Sequence, residues 1–133
     1  TEYIRDPRFE ALMLAVKVGR GKRKVIPGPK IAAFLKTIDW STHSLLCHNT
    51  QFDGFILSHH YGVVPKRYYC SLSMARGLHS NEIGAGLDEV SLFYGRGGKL
   101  KGALEAMKGR RYADLVKDGV YAQGAEYCGV DVD

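Results

Sequence analysis

Two short patterns in the chain contain side chains that could do chemistry. In the first, Asn49, Phe52 and Asp53 follow the apolar run 44–47, and the sequence predicts a strand there and a helix over 53–61. A carboxylate in the first turn of a helix lies near backbone N–H groups and the positive end of the helix dipole. Helix capping by Asn49 and Asp53 is the simpler interpretation. The edge where strands lead into helices is, however, also where ligands gather in α/β sheets.

The second pattern pairs Tyr127 with Asp131. Residues four apart on a helix share one face. A phenol beside a carboxylate can orient a water molecule that a carboxylate-bound metal ion also touches. The competing interpretation is an exposed tyrosine beside an exposed aspartate.

Taken together, the two patterns resemble motifs of the DEDD exonuclease superfamily, in its tyrosine-bearing branch. The run from Asn49 to Asp53 matches the second motif, and Tyr127 to Asp131 matches the third. The segment YCGVDVD is similar to the third motif of bacterial DNA polymerase I-type enzymes. The segment YIRDPRFEALMLAVKVG is similar to the one before the second sheet strand in phage-like family A polymerases. The resemblance therefore covers most of the chain.

This resemblance implies a 3′→5′ exonuclease of the proofreading type. Two divalent ions, Mg²⁺ or Mn²⁺, would assist hydrolysis, with Asp53 and Asp131 as metal ligands. Tyr127 would orient the attacking water, and Asn49 and Phe52 would position the 3′-terminal nucleotide. The implied partners are the 3′ end of single-stranded DNA and a covalently attached polymerase domain. The implied location is the cytoplasm of a bacterial or phage-infected cell.

The first motif of the superfamily, Asp-x-Glu, is missing from this sequence. One explanation puts its strand upstream of Thr1, and the other makes Thr1-Glu2 the remnant of the motif. The first is favoured because residues 3–9 match the linker that follows that strand. With two of four carboxylates, the chain alone is expected to bind metal weakly and to have little or no exonuclease activity.

The order of elements predicts an α/β fold, RNase H-like, with a mixed sheet covered by helices and lacking its first strand. All of 1–133 is assigned to one N-terminally truncated exonuclease domain. Strands are predicted at 12–18, 24–26, 44–47 and 68–70. Helices are predicted at 30–38, 53–61, 71–78 with Ser71 as the cap, 86–93, within 94–111, and from 119 to the end.

Composition agrees with a nucleic-acid partner. The 133 residues carry a formal net charge of +5, which favours a polyanion, although charge for solubility alone explains it equally well. No apolar run is long enough for a membrane helix, and the N-terminal residues do not form a secretory signal. The cysteines Cys47, Cys70 and Cys128 form no CxxC pair, which fits a reducing cytoplasm. Each is expected to be a small buried residue.

Other features have competing interpretations. Two basic clusters could contact phosphate or be solvated loops, and the adjacent His59 and His60 are expected at the surface because neighbouring helix residues point apart. Trp40 and the Tyr68-Tyr69 pair are expected to pack in the core or sheet. The clusters contain Arg20, Lys22, Arg23 and Lys24, and Lys99, Lys101, Lys108, Arg110 and Arg111.

Three alternatives to the proofreading enzyme remain. A nucleic-acid-binding module could have kept the fold and lost the chemistry, which agrees with the missing Asp-x-Glu motif. An RNA-processing exonuclease of the same superfamily is the second alternative. A structural protein with no nucleic-acid role is the third.

Overall fold

The computed structural model describes residues 2–79, 82–96 and 102–132 and shows a mixed α/β structure. The chain divides into two compact units, one of residues 1–7 and 35–98, the other of residues 8–34 and 99–133. The single exonuclease domain over 1–133 stays a prediction. In chain order the described elements are α1 (Glu2–Arg5), β1 (Met13–Val16), β2 (Lys24–Pro27), a 3₁₀ turn (Gly28–Lys30), α2 (Ile31–Lys36), β3 (Leu45–Cys47), α3 (Thr50–Tyr61), β4 (Tyr68–Cys70), α4 (Ser71–His79), α5 (Leu87–Phe93), α6 (Ala103–Met107), α7 (Tyr112–Lys117) and α8 (Tyr121–Val130).

In the second unit, β1 and β2 form an antiparallel hairpin with Met13 opposite Pro27. The backbone N–H of Gly28 donates to the Leu12 carbonyl at 2.9 Å, which continues the pairing beyond β2. A Cβ atom at Gly28 would lie only 3.0 Å from that same carbonyl oxygen. The close approach of the two backbones therefore requires glycine at this position.

Helix α8 lies against this hairpin and against α6. A Cβ atom at Gly124 would lie 3.1 Å from the Met13 Cε atom, so the missing side chain lets α8 approach β1. Among the described residues of this unit, Ile31, Ala103 and Leu115 are the buried apolar ones. The hairpin and this small core hold the last helix, which contains Tyr127.

In the first unit, β3 and β4 are parallel neighbours, and α3 is the helix of the crossover between them. Gly62 ends α3 in the left-handed conformation, with φ at 64°. Beneath the helices lies a core of Ile4, Leu35, Leu57, Val63 and Ala75.

Thr50, the first residue of α3, is a buried polar residue at the ends of both strands, only 9% exposed. Its hydroxyl donates to the Tyr69 carbonyl at 2.6 Å, and the Cys47 carbonyl lies at 3.2 Å. One side chain therefore ties the start of α3 to the ends of β3 and β4.

The strand predictions are confirmed, with β1 shorter than expected, but the strands form two separate two-stranded sheets within the described residues. The helix predicted over 53–61 begins three residues earlier, at Thr50. Ser71 is the first residue of α4 and not its cap. Helix α7 was not predicted, because its residues 112–117 follow a glycine-rich and basic stretch.

Replacing Thr50 with valine tests the tie between α3 and the strand ends. The substitution keeps the shape and removes the donor to a buried carbonyl, so the free energy of unfolding should fall by about 1–3 kcal/mol. Thr42→Val is the matched control, since the Thr42 hydroxyl donates to the Asp39 carbonyl at an exposed site. Urea unfolding of both variants measures the difference, and equal losses would contradict the role given to Thr50.

Candidate active site at the ends of the parallel strands

Asn49 lies between β3 and α3 in the left-handed conformation, with φ at 71°. Asparagine accepts this conformation more readily than most residues with a side chain. Although Asn49 occupies the N-cap position, its side chain makes no capping hydrogen bond. Capping therefore does not explain this asparagine, and its exposed amide is available to a ligand.

Phe52 and Asp53 follow in the first turn of α3. The Phe52 side chain is 45% exposed, an unusual position for a large aromatic residue on a helix that covers a sheet. Asp53 is half-buried, and its negative charge lies near the thiol of Cys47. Burial, then the charge of Asp53, raises the pKa of Cys47 to about 12. The helix dipole favours the Asp53 carboxylate at this end of α3.

An open groove of about 510 Å³ lies on another side of α3. At 100° per residue, Thr50, Gly54 and Ser58 face the groove, whereas Phe52 and Asp53 project away from it. The groove combines aromatic, amide, hydroxyl and guanidinium groups. Its lining residues are Asn49, Thr50, Gln51, Gly54, Phe55, Ser58, Tyr68, Cys70, Leu72, Ser73 and Arg76.

Residues of β4 and α4 also line this groove, and no sequence pattern predicts their contribution. The sequence predicts that Tyr68 and Tyr69 pack in the core or sheet; both are in β4, but their side chains are 49% and 41% exposed. The Tyr68 ring lies over Gly54, where a Cβ atom would be 3.3 Å from its Cε1 atom. Tyr68 and Tyr69 lie beside Asn49 only because β3 pairs with β4. No local sequence pattern predicts that pairing. Trp40 is half-buried, and its indole N–H donates to the Leu35 carbonyl at 3.1 Å, as expected of a packing residue.

The prediction of buried cysteines is wrong for all three, because Cys47, Cys70 and Cys128 are each half-buried, and Cys70 departs from it furthest. It is half-buried, and it lines the groove. The Thr50 backbone N–H donates to its sulfur at 3.4 Å. Hydrogen bonds from the Ser73 side chain, and from backbone N–H groups including those of Ser73, Thr50 and Asn49, lower the pKa of Cys70 to about 6. This is the setting of a reactive cysteine at the start of a helix.

His48 connects the end of β3 with the segment before α5. One ring nitrogen, Nδ1, lies 3.0 Å from the Ser71 hydroxyl, and the other, Nε2, lies 2.9 Å from the Ala85 carbonyl. A carbonyl only accepts, so Nε2 carries the proton and donates to Ala85. His48 thereby fixes the backbone just before Asn49.

The second pattern lies on α8 as expected. Tyr127 is in the last turn, and Asp131 is the C-cap residue in right-handed helical conformation, so the two share one face. Both are half-buried. A carboxylate at a helix C-terminus opposes the negative end of the dipole, so a cation bound there would stabilise it.

Arg23 supports this end of α8. Its Nη2 atom lies 2.8 and 2.9 Å from the two carboxylate oxygens of Glu126. Its guanidinium covers Gly129, where a Cβ atom would lie 3.2 Å from Nε. Arg23 therefore helps to position Tyr127, and it is not simply a solvated turn residue.

The second basic cluster is also partly structural. Arg110 pairs with Asp118 at 3.1 Å and donates to the Ala106 carbonyl. Arg111 pairs with Glu10 at 3.0 Å and donates to the Arg8 carbonyl. Lys99 and Lys101 lie outside the described residues. The exposed cations of the two clusters within the described residues are Arg20, Lys22, Lys24, Lys108 and Arg111, and the last of these is paired with Glu10.

The paired histidines lie at the surface, as predicted. His59 stacks on Phe55 with ring centroids 5.5 Å apart. The Nε2 atom of His60 lies 2.6 Å from the Ile4 carbonyl and anchors α1 on α3.

The predicted metal ligands belong to different units, Asp53 to the first and Asp131 to the second. Within the described ranges, no group of three or more His, Cys, Asp or Glu side chains could hold a metal ion. The donor set that a two-metal centre needs is therefore not assembled by the described residues of either unit.

Comparison with protein-family models, with curated proteins and with solved structures finds no match in any of the three. Among the residues that the structure describes, no helix has the length and apolar character needed to span a bilayer.

Alkylation of Cys70 tests its environment. With a pKa of about 6, labelling by iodoacetamide should reach half its maximal rate near that pH, because the thiolate is the nucleophile. Ser73→Ala removes the largest cause of the shift, so the midpoint should move up toward that of an ordinary thiol. Cys128 serves as the reference within the same chain. A Cys70 midpoint near that of an ordinary thiol in the unmodified chain would contradict this environment.

Proposed function

We propose that this chain is part of a 3′→5′ exonuclease domain of the tyrosine-bearing DEDD type, with an RNase H-like fold and a proofreading role beside a polymerase. The observation that supports it most is the junction of β3 and α3. At this junction the Asn49 side-chain amide makes no capping hydrogen bond, and the Phe52 side chain is exposed. The helix dipole favours the carboxylate of Asp53 beside them. These are the residue types that the proposed second motif requires.

Each site residue has a role in this proposal. The Phe52 ring stacks on the 3′-terminal base, since an exposed aromatic side chain binds single strands without regard to sequence. The Asn49 amide hydrogen-bonds the same nucleotide. Asp53 and Asp131 are ligands to Mg²⁺ or Mn²⁺, and both supply the oxygen donors that these ions prefer. Tyr127 orients the attacking water.

The residues present do not fit a complete two-metal centre. Asp53 and Asp131 are two carboxylates where the family uses four, and the Asp-x-Glu pair is missing from the sequence. No hydrolytic step is therefore assigned to this chain by itself. Weak metal binding and little or no turnover are expected of it.

A nucleic-acid-binding module of the same fold is the second candidate. The same missing carboxylates favour it, together with the net charge of +5. Such a module would bind single strands equally well with and without Mg²⁺, and Asp53→Ala would not affect binding.

Restoring an upstream strand with Asp-x-Glu tests the enzymatic proposal. The extended chain should remove nucleotides from the 3′ end of single-stranded DNA in the presence of Mg²⁺ or Mn²⁺. Asp53→Asn and Asp131→Asn should each reduce turnover to background, and Tyr127→Phe should lower it by about 100-fold. Glu105→Gln, at an exposed acid of α6, is the matched control and should leave the rate unchanged.

Two results would count against the enzyme. Robust digestion by the present chain, lost on Asp53→Ala, would show that the missing motif is not needed. An extended chain that is inactive yet binds single strands independently of Mg²⁺ would favour the binding module.

Binding of single-stranded DNA by the present chain tests the role of Phe52. Phe52→Ala should weaken binding of an oligonucleotide by about 5- to 150-fold, since one stacked base contributes about 1–3 kcal/mol. Leu78→Ala is the control, because Leu78 is 71% exposed on α4. Fluorescence anisotropy at constant salt measures both, and equal effects would remove Phe52 from the proposed interface.

A further inference from the structure

Cys47 and Cys70 are direct partners in the parallel pairing of β3 and β4, and each is the last residue of its strand. Neighbouring strands lie about 4.8 Å apart, within the Cα separation of about 4.4–6.8 Å that a disulfide spans. Partners directly opposite each other point to the same face of a sheet. The register therefore gives the two residues a backbone separation and a shared face that allow a bond between their sulfur atoms, and the Cys70 thiol is near enough to affect the pKa of Cys47.

The surroundings of Cys70 make it the first of the two to react. It lines the open groove, so a small solute reaches its sulfur from solvent. The Thr50 N–H at 3.4 Å and the Ser73 side chain stabilise the thiolate over the thiol. Cys47 is also half-buried, directly across the strand pair.

We propose that Cys47 and Cys70 form a reversible disulfide when the chain meets a peroxide. The Cys70 thiolate attacks one peroxide oxygen and breaks the O–O bond, which gives a sulfenic acid and releases hydroxide, or alkoxide from an organic peroxide. The Cys47 sulfur then attacks the sulfenic sulfur and forms the S–S bond. The sulfenic oxygen leaves as water with the Cys47 proton. The two cysteines are oxidised together by two electrons, and the peroxide is reduced.

The disulfide would change the start of α3. A thiolate sulfur accepts a charge-assisted hydrogen bond from Thr50 N–H, whereas a disulfide sulfur is neutral and a poor acceptor. This N–H belongs to the first residue of α3, and the residues of the candidate site, Asn49 to Asp53, lie on either side of it in the chain. Oxidation at the strand ends therefore acts on the position of that site, and a reducing thiol reverses it.

Peptide mapping after peroxide treatment tests the proposal directly. The purified chain is treated with hydrogen peroxide, blocked with N-ethylmaleimide and digested with trypsin without reduction. Cleavage at Lys36, Lys66, Arg67, Arg76 and Lys117 places the three cysteines in separate peptides, 37–66, 68–76 and 118–133. The expected product is 37–66 joined to 68–76 with the loss of two hydrogens, from a band that runs as a monomer, and dithiothreitol should abolish it.

Variants assign the order of events. Cys128→Ser should give the same product as the unaltered chain. Cys47→Ser should stop at a Cys70 sulfenic acid, trapped by dimedone, and Cys70→Ser should leave Cys47 unoxidised. In the urea-unfolded chain, peroxide should give a mixture of the three possible pairings of Cys47, Cys70 and Cys128. That contrast with the folded chain would show that the fold selects one pairing. A link to Cys128 as the main product of the folded chain, or oxidation of Cys70 with no link to Cys47, would overturn the proposal.

Discussion

The candidate site depends on one buried contact, the hydrogen bond from the Thr50 hydroxyl to the Tyr69 carbonyl at 2.6 Å. Thr50 begins α3, and Tyr69 is in the strand that follows this helix in the chain. The bond therefore closes the β3–α3–β4 crossover at the ends of its strands. Because this bond fixes the first turn of α3, the backbone positions of Asn49, Phe52 and Asp53 are fixed as well.

The first turn of α3 contributes to two different surfaces. On one side of α3, Phe52 and Asp53 form the part that resembles an exonuclease motif. On the other, Tyr68, Cys70 and Arg76 line a groove. The backbone N–H groups of Asn49 and Thr50, at the start of α3, help to stabilise the Cys70 thiolate. The helix dipole favours a negative charge on either surface, which accounts for two acidic groups so close to the start of one helix.

Local pattern was enough to predict the strands, because each is a short apolar run next to a turn. It was also enough to place Tyr127 and Asp131 on one helical face. It misplaced the start of α3, since the left-handed Asn49 allows the helix to begin directly after the strand. The roles of Tyr68 and Cys70 follow from the pairing of β3 with β4, and the roles of Arg23 and Arg111 follow from acids about a hundred positions away. Contacts of that kind leave no periodic signal in a sequence.

The most direct test of the account is the position of a divalent ion on the chain. Traces of Mn²⁺ added to the isotopically labelled protein broaden the amide resonances nearest the bound ion, and weak binding suffices for this. If Asp53 and Asp131 are ligands to the ion as proposed, the resonances of Asn49, Thr50, Gln51, Phe52 and Asp53 and that of Asp131 broaden first, and Asp53→Asn abolishes the effect. Broadening centred on other acids, such as Glu10 or Glu126, or an effect that persists in Asp53→Asn, would contradict it.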